Sequence, residues 1–180
     1  MSELMTLIKE RRSIRKYQDK EVPEAVLEQL LEAARWAPSW TNSQCWEIVV
    51  ITDPEVKKAI QGTIPEGNPA AKCVASAPLL LAICARLQRS GFYKGLCATK
   101  FGDWFMYDLG LATQNIALMA HDLGLGSVIL GLFLHDEAAK LLHLPEGYEI
   151  VSLMPIGYPN EVAKIPPRRP IAEFTHQNSF

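Results

Sequence analysis

Residues 103–133 read DWFMYDLGLATQNIALMAHDLGLGSVILGLF, and this stretch decides the fold. Its first part, Asp103 to Leu123, is apolar on nearly every side of a 3.6-residue period, which predicts a long helix placed centrally. Gly124 is well placed as its left-handed cap, and Ser127 to Phe133 reads as a buried strand. The apolar run from Leu109 to Leu134 has the length of a membrane span. Gln114, Asn115, His121, Asp122 and the spaced glycines would be penalised heavily in hydrocarbon. A buried helix followed by a buried strand is the better reading, and no membrane association is expected.

On the N-terminal side, Leu4, Leu7, Ile8 and Arg11 share one stripe and predict a helix from about Ser2 to Arg12, with Arg11 continuing the apolar face. A second helix starts at Pro23, a favoured first helical position, turns Leu27, Leu30, Leu31 and Ala34 inward, and ends at Pro38. Glu47 to Thr52 is a β-branched strand, Pro54 to Gln61 a short helix, Gly62 to Ala71 a loop, and Pro78 to Ala85 a buried strand. Arg86 to Gly102 is irregular. Beyond the central stretch come a short helix from Asp136 to Leu142 and a fourth strand from Tyr148 to Gly157. Residues 158–180 carry four prolines and no period, so they form an extended arm without a core of its own. The order predicts a single α+β domain over 1–180. It has three layers, with a mixed central sheet, a long helix across it and the arm outside.

With 48% hydrophobic residues the 180-residue chain can bury a substantial core, and extended disorder is excluded. A net charge of −2 gives no general attraction to nucleic acid, so any anion site must be local. Cys45, Cys73, Cys84 and Cys97 form no Cys-x-x-Cys pair, which argues against structural zinc and a disulfide framework and for a reducing cytoplasm. The chain begins Met1-Ser2-Glu3 with no basic-then-apolar segment, in keeping with that expectation.

Three segments carry candidate chemistry. Arg11-Arg12-Ser13-Ile14-Arg15 places three guanidinium groups at the end of a helix. Cations favour that position through the helix dipole. A partly buried cluster of forked donors also suits a phosphate or carboxylate ligand. In Ala37 to Trp46, the proline and small polar residues fit a helix-ending loop, but Trp40 and Trp46 are large amphipathic surfaces commoner at interfaces and around planar ligands. In Gly124 to Gly131 the glycines follow a helix and precede a strand, the reverse of a dinucleotide fingerprint. Asp108 and Asn115, seven apart, share a helix face and read as satisfied buried polar groups or a subunit contact. The four histidines lie at helix ends or in the tail with no partner for a triad. Pro166-Pro167-Arg168-Arg169-Pro170 in the arm is either a solvated Pro-rich segment or a source of two more guanidinium groups.

In this order and separation, Arg11-Arg12-Ser13-x-Arg15 and Ala37-Pro38-Ser39-x-x-Asn42-x-Gln44-x-Trp46 resemble the FMN-dependent nitroreductase family in its compact form, over about Met5 to Arg169. The resemblance implies an intertwined homodimer with shared active sites, FMN as cofactor, NADH or NADPH as donor, and ping-pong hydride transfer to nitroaromatics, quinones or similar small acceptors. It implies that Arg11, Arg12 and Ser13 hold the FMN phosphate and ribityl chain, that Arg15 reaches the pyrimidine edge, and that Arg168 and Arg169 close on the phosphate. Pro38, Ser39, Trp40 and Asn42 would cover the partner subunit's flavin. Val128, Ile129, Leu130 and Gly131 would lie along the ring, with Asn68 and Lys72 at the pyrimidine carbonyls. Phe92, Tyr93 and Lys94, within Arg86 to Gly102, would form the substrate lid. No metal is implied, and no catalytic residue beyond the flavin itself. Cys45 stands where the family usually has proline, so the backbone there is expected to differ. Other flavin reactions on the same scaffold (dehalogenation, flavin breakdown), a non-catalytic flavin-binding dimer, and an anion-binding module with a Pro-rich arm remain as alternatives.

Overall fold

In the computed structural model, which describes residues 2–180, the Ser2 side chain accepts from the Met5 N–H at 3.3 Å and starts α1, Glu3–Glu10. The helix stops earlier than its stripe implies: Arg11 has φ −53° and ψ 132° and begins an extended segment. The expected apolar face is covered only in part within the chain, at Leu7. No α1 residue is buried, and Leu4 and Ile8 are 59% and 45% exposed. Pro23 caps α2, Glu24–Arg35, from outside, and the helix ends at Trp36, before Pro38. β1, Trp46–Ile51, leads to α3, Pro54–Gln61, whose cap Asp53 accepts from the Glu55 and Val56 N–H groups.

α4, Ala71–Ser76, lies beyond the predicted loop and was not foreseen; six residues are too few to show a period. β2, Leu79–Arg86, is followed by a small hairpin, β3 Phe92–Tyr93 and β4 Leu96–Cys97, in the stretch expected to be irregular. The central helix is α5, Phe105–Asp122; Gly124 follows it with φ +74°, in the left-handed region expected of a cap. β5, Gly126–Ser127, α6, His135–Leu141, and β6, Tyr148–Gly157, complete the order.

The sheet runs β1-β2-β6-β5 with every neighbouring pair antiparallel. Its one parallel element among the described residues is the bridge Ser13–Ser127, which adds the arginine-bearing segment to the edge and makes the sheet mixed. β2 alternates strictly. Leu79, Leu81, Ile83 and Ala85 pack toward α2 and α5, while Leu80, Ala82 and Cys84 face Ile60, Val74 and Ala138 from α3, α4 and α6. The three-layer arrangement follows from a sheet covered on both faces. No helix among the described residues is long and apolar enough to cross a membrane.

The strand expected over Ser127 to Phe133 is broken. Pro155 of β6 accepts from the Val128 N–H at a long 3.4 Å and, lacking an N–H, returns nothing. The ladder therefore ends at Ser127, and the chain rejoins β6 at Leu130, which exchanges two 2.9 Å hydrogen bonds with Leu153.

Gly126 lets this edge close. A Cβ there would meet Ile14 Cβ and Cγ1 at 2.7 Å. Gly126→Ala is expected to cost about 1–3 kcal/mol through overpacking, read as a lower urea midpoint with an unchanged m-value.

Candidate functional site

The bridge from Ser13 to Ser127, with the Ile14 N–H donating to the Ser127 carbonyl at 2.9 Å, sets the arginine segment beside Val128, Ile129, Leu130 and Gly131. On its other side the segment pairs with the start of the arm. Tyr17 bridges Pro159, the Asn160 N–H donates to the Lys16 carbonyl, and Glu161 Oε1 accepts from the Arg15 and Lys16 N–H groups at 2.6 and 3.2 Å. Beneath it the Tyr17 hydroxyl meets the carbonyls of Ile14 at 2.7 Å and Pro155 at 3.0 Å; burial pushes its pKa well up, so it stays a donor.

These contacts wrap a cavity of about 520 Å³ whose walls include Arg11, Arg12, Ser13, Arg15, Lys164 and Arg168. A second cavity of about 330 Å³ lies against it, sharing Arg11 and Arg12 and reaching Ala117 and His121 near the end of α5. Arg12 satisfies the dipole reading: its Nη1 donates to the Lys9 and Arg11 carbonyls at 2.5 and 2.6 Å. Arg11 does not. Its guanidinium is held below its usual pKa, first by burial and then by the neighbouring Arg12 and Arg168 cations. Cations gathered against their own repulsion, with the Glu161 carboxylate engaged by backbone N–H groups, suit a multiply charged anion. Phosphate chemistry fits this donor set.

The pyrimidine-edge candidates lie at and just before the start of α4. Cys73, next to Lys72 on α4, has its thiol pushed up to about 11, chiefly by burial, while Arg15 pulls it back. Lys72 is exposed, and Asn68 accepts from the Ala70 N–H at 2.9 Å. Arg169 is turned away from the cavity toward Glu173, 3.9 Å off, and the ring of Phe174. Phe92, Tyr93 and Lys94 form β3 and the hairpin turn after it.

Pro38, Ser39, Trp40 and Asn42 belong elsewhere in the chain. Their loop is a short 3₁₀ turn, Trp40–Asn42, with Thr41, Asn42 and Gln44 at φ +44°, +58° and +46°. Three non-glycine residues in the left-handed region need outside support, and Asp108 supplies it. This fully buried carboxylate of α5 accepts from the Trp40 N–H and the Ser43 hydroxyl, both at 3.0 Å, and from the Cys45 thiol at 3.6 Å. Burial and the Asp108 carboxylate push the Cys45 thiol up to about 12, so it remains a donor. A proline at 45 would hold Gln44 to extended backbone; cysteine permits the positive φ observed.

Asp108, which ties this loop, lies 9 to 13 residues before Ala117 and His121 of the smaller cavity on one helix, a separation along the helix axis of about 14–20 Å at 1.5 Å per residue. Asp108, Tyr17, Glu161 and Lys164 were not foreseen as site residues. The partners of Asp108 lie 63 to 68 positions away, and no local spacing announces them. Asn115 is satisfied as expected, donating to the Ala33 carbonyl at 3.0 Å.

The sequence profile of the Nitroreductase family matches residues 8–158. An FMN reductase [NAD(P)H] of Bacillus subtilis is 30% identical over 194 aligned positions, covering 100% of this chain and 75% of its own length. An NADH dehydrogenase of Thermus thermophilus is 32% identical, covering 84% of each chain. Among solved structures, an FMN-dependent nitroreductase of Clostridium difficile superposes with a TM-score of 0.81 at 28% identity, over 98% of this chain and 99% of the other.

Proposed function

The chain belongs to the nitroreductase family, and from that premise we propose that it is an FMN-dependent NAD(P)H oxidoreductase. In our reading it passes electrons in ping-pong fashion to nitroaromatics, quinones or similar small acceptors. The observation that carries the cofactor assignment is Arg11, half-buried beside Arg12 and Arg168 in a cavity large enough for a phosphate and its ribityl neighbour. The relatives' names support the same cofactor and donor.

Bound FMN supplies the ring that takes hydride from the nicotinamide and gives it up to the acceptor. The residues supply position and field. Arg11, Arg12, Ser13, Lys164 and Arg168 neutralise the phosphate, and Arg15 sets a cation where negative charge develops on reduction. Of Val128, Ile129, Leu130 and Gly131, the first and third are buried and tied to β6, and the exposed Ile129 and Gly131 offer apolar surface and backbone N–H groups along one side. Asn68, just before α4, and Lys72, on it, serve the pyrimidine edge, and Phe92, Tyr93 and Lys94 belong to the substrate cover. Pro38, Ser39, Trp40 and Asn42 serve the partner subunit's site. The partly covered stripe of α1, with a groove of about 410 Å³ that includes Leu7, Trp36, Leu118 and Met119, supports a homodimer that buries them.

Heat-denaturing the purified protein and chromatographing the released cofactor tests the assignment. FMN is expected; FAD, or no flavin after reconstitution with excess FMN, overturns it. NAD(P)H oxidation that rises with added quinone or nitroaromatic separates the enzyme from a non-catalytic flavin carrier. Arg11→Ala has a signed outcome. Loss of a charge-assisted contact of about 2 kcal/mol weakens FMN binding roughly thirtyfold. The apoprotein, relieved of a repelled cation, is no less stable than wild type. Titration with FMN and urea denaturation of both apoproteins check the two halves.

A further inference from the structure

The segment Leu87–Gly102 carries Arg89, Lys94 and Lys100 and no carboxylate, in a chain of net charge −2. None of the three is in an ion pair among the described residues. The neighbouring acid, Asp103, is committed to backbone: its oxygens accept from the Gln88 and Phe105 N–H groups at 2.5 and 3.2 Å. Gly91 lets the hairpin close down on Trp104, whose side chain a Cβ there would strike. Next to Lys100 opens a cleft of about 300 Å³ walled by Phe101, Asp103, Trp104, Met106 and Tyr107. Phe101 and Tyr107 are 70% and 61% exposed, and the Lys100 ammonium stands 4.7 Å from the Phe101 ring. Exposed rings with one unpaired cation at their edge, on a segment that carries two more, suit a planar heteroaromatic group that carries phosphate.

We propose that this cleft docks the adenine ring and phosphates of the nicotinamide dinucleotide. The proposal rests on the reading of the chain as an NAD(P)H-dependent flavoenzyme. Of the two reactants in that reading, only the dinucleotide always joins a flat heterocycle to phosphate anions. A neutral acceptor has no use for the three cations. Trp104 lies one helical turn before Asp108, which anchors the loop assigned to the partner subunit's flavin. The cleft therefore lies about one helical turn from the anchor of that loop.

Binding is read first without turnover. Titrating the holoenzyme with NAD+ or NADP+, which cannot reduce it, is expected to quench tryptophan fluorescence, and Trp104→Phe removes most of that change. Arg89→Gln/Lys100→Gln raises the KM for NADH or NADPH by about tenfold and flattens its salt dependence, with kcat retained. Reoxidation of the chemically reduced variant by a neutral quinone keeps its wild-type rate. Single substitutions at the same two positions, each giving part of the KM increase, guard against a misfolded double variant. An unchanged KM, or an increase confined to anionic acceptors, overturns the docking assignment. A wild-type protein that binds no FMN or oxidises no NAD(P)H instead overturns the functional reading beneath it.

Discussion

Asp108→Ala is expected to destabilise the protein by about 3 kcal/mol and to abolish most of its activity. Three donors from one loop converge on this carboxylate: the half-buried Trp40 N–H and Ser43 hydroxyl and the buried Cys45 thiol. Leaving each unsatisfied costs roughly 1 kcal/mol or more. The functional loss exceeds the stability loss because of the backbone the carboxylate holds. Thr41, Asn42 and Gln44 occupy the left-handed region, and without the clamp the loop relaxes and carries Ser39 and Asn42 out of place. Asp108→Asn separates the two effects. It keeps one acceptor for the Trp40 N–H and the volume of the side chain, and turns an amide toward a hydroxyl able to accept. A loss of about 1 kcal/mol is expected, with kcat falling and FMN affinity nearly intact. Urea denaturation with steady-state kinetics on both variants reads the difference. Equal stability of Asp108→Ala and wild type would show that the loop holds itself.

The strongly periodic elements were legible, because each is encoded by neighbours. The alternation of β2, the length of α5 and the cap at Gly124 need no information from afar. What failed was set by distant partners. Ser127 to Phe133 has every local property of a strand, yet Pro155, some 25 residues downstream, denies it the returning hydrogen bond. α4 is too short to declare itself, and the Arg86 to Gly102 hairpin is held partly by Trp104 and Asp103 outside it. The arginine segment was legible as a cluster but not as an edge strand, because its pairing with Ser127 and Pro159 joins residues over 100 positions apart. Asp108 was read as a satisfied buried polar group, which it is. Its role in shaping the loop shows only when the loop's positive φ values are seen beside it.

The separation of the two motif segments yields the sharpest expectation. Arg15 belongs to the larger cavity, which shares Arg11 and Arg12 with the smaller one at the C-terminal end of α5, and Ser39 belongs to the loop tied near the N-terminal end of that helix. About 14–20 Å of helix between them is too far for both to flank one ring from the same chain. A closed two-fold dimer resolves this by bringing the loop of one subunit to the cavity of the other. Let Arg15→Ala and Ser39→Trp each abolish activity in their own homodimers, the first by removing the cation, the second by filling the space the ring would take. In a mixed dimer, one site then receives both defects and the other receives neither. Random assortment on co-expression makes roughly half the dimers mixed, so about a quarter of wild-type activity should return, and the purified mixed dimer should show about half. A site built within one chain predicts none, because every chain carries a defect. Distinguishable tags, isolation of the mixed species and one assay decide between them. An inactive mixed dimer that binds FMN and melts like its parents would end the shared-site reading and leave the 38–46 loop a purely structural one.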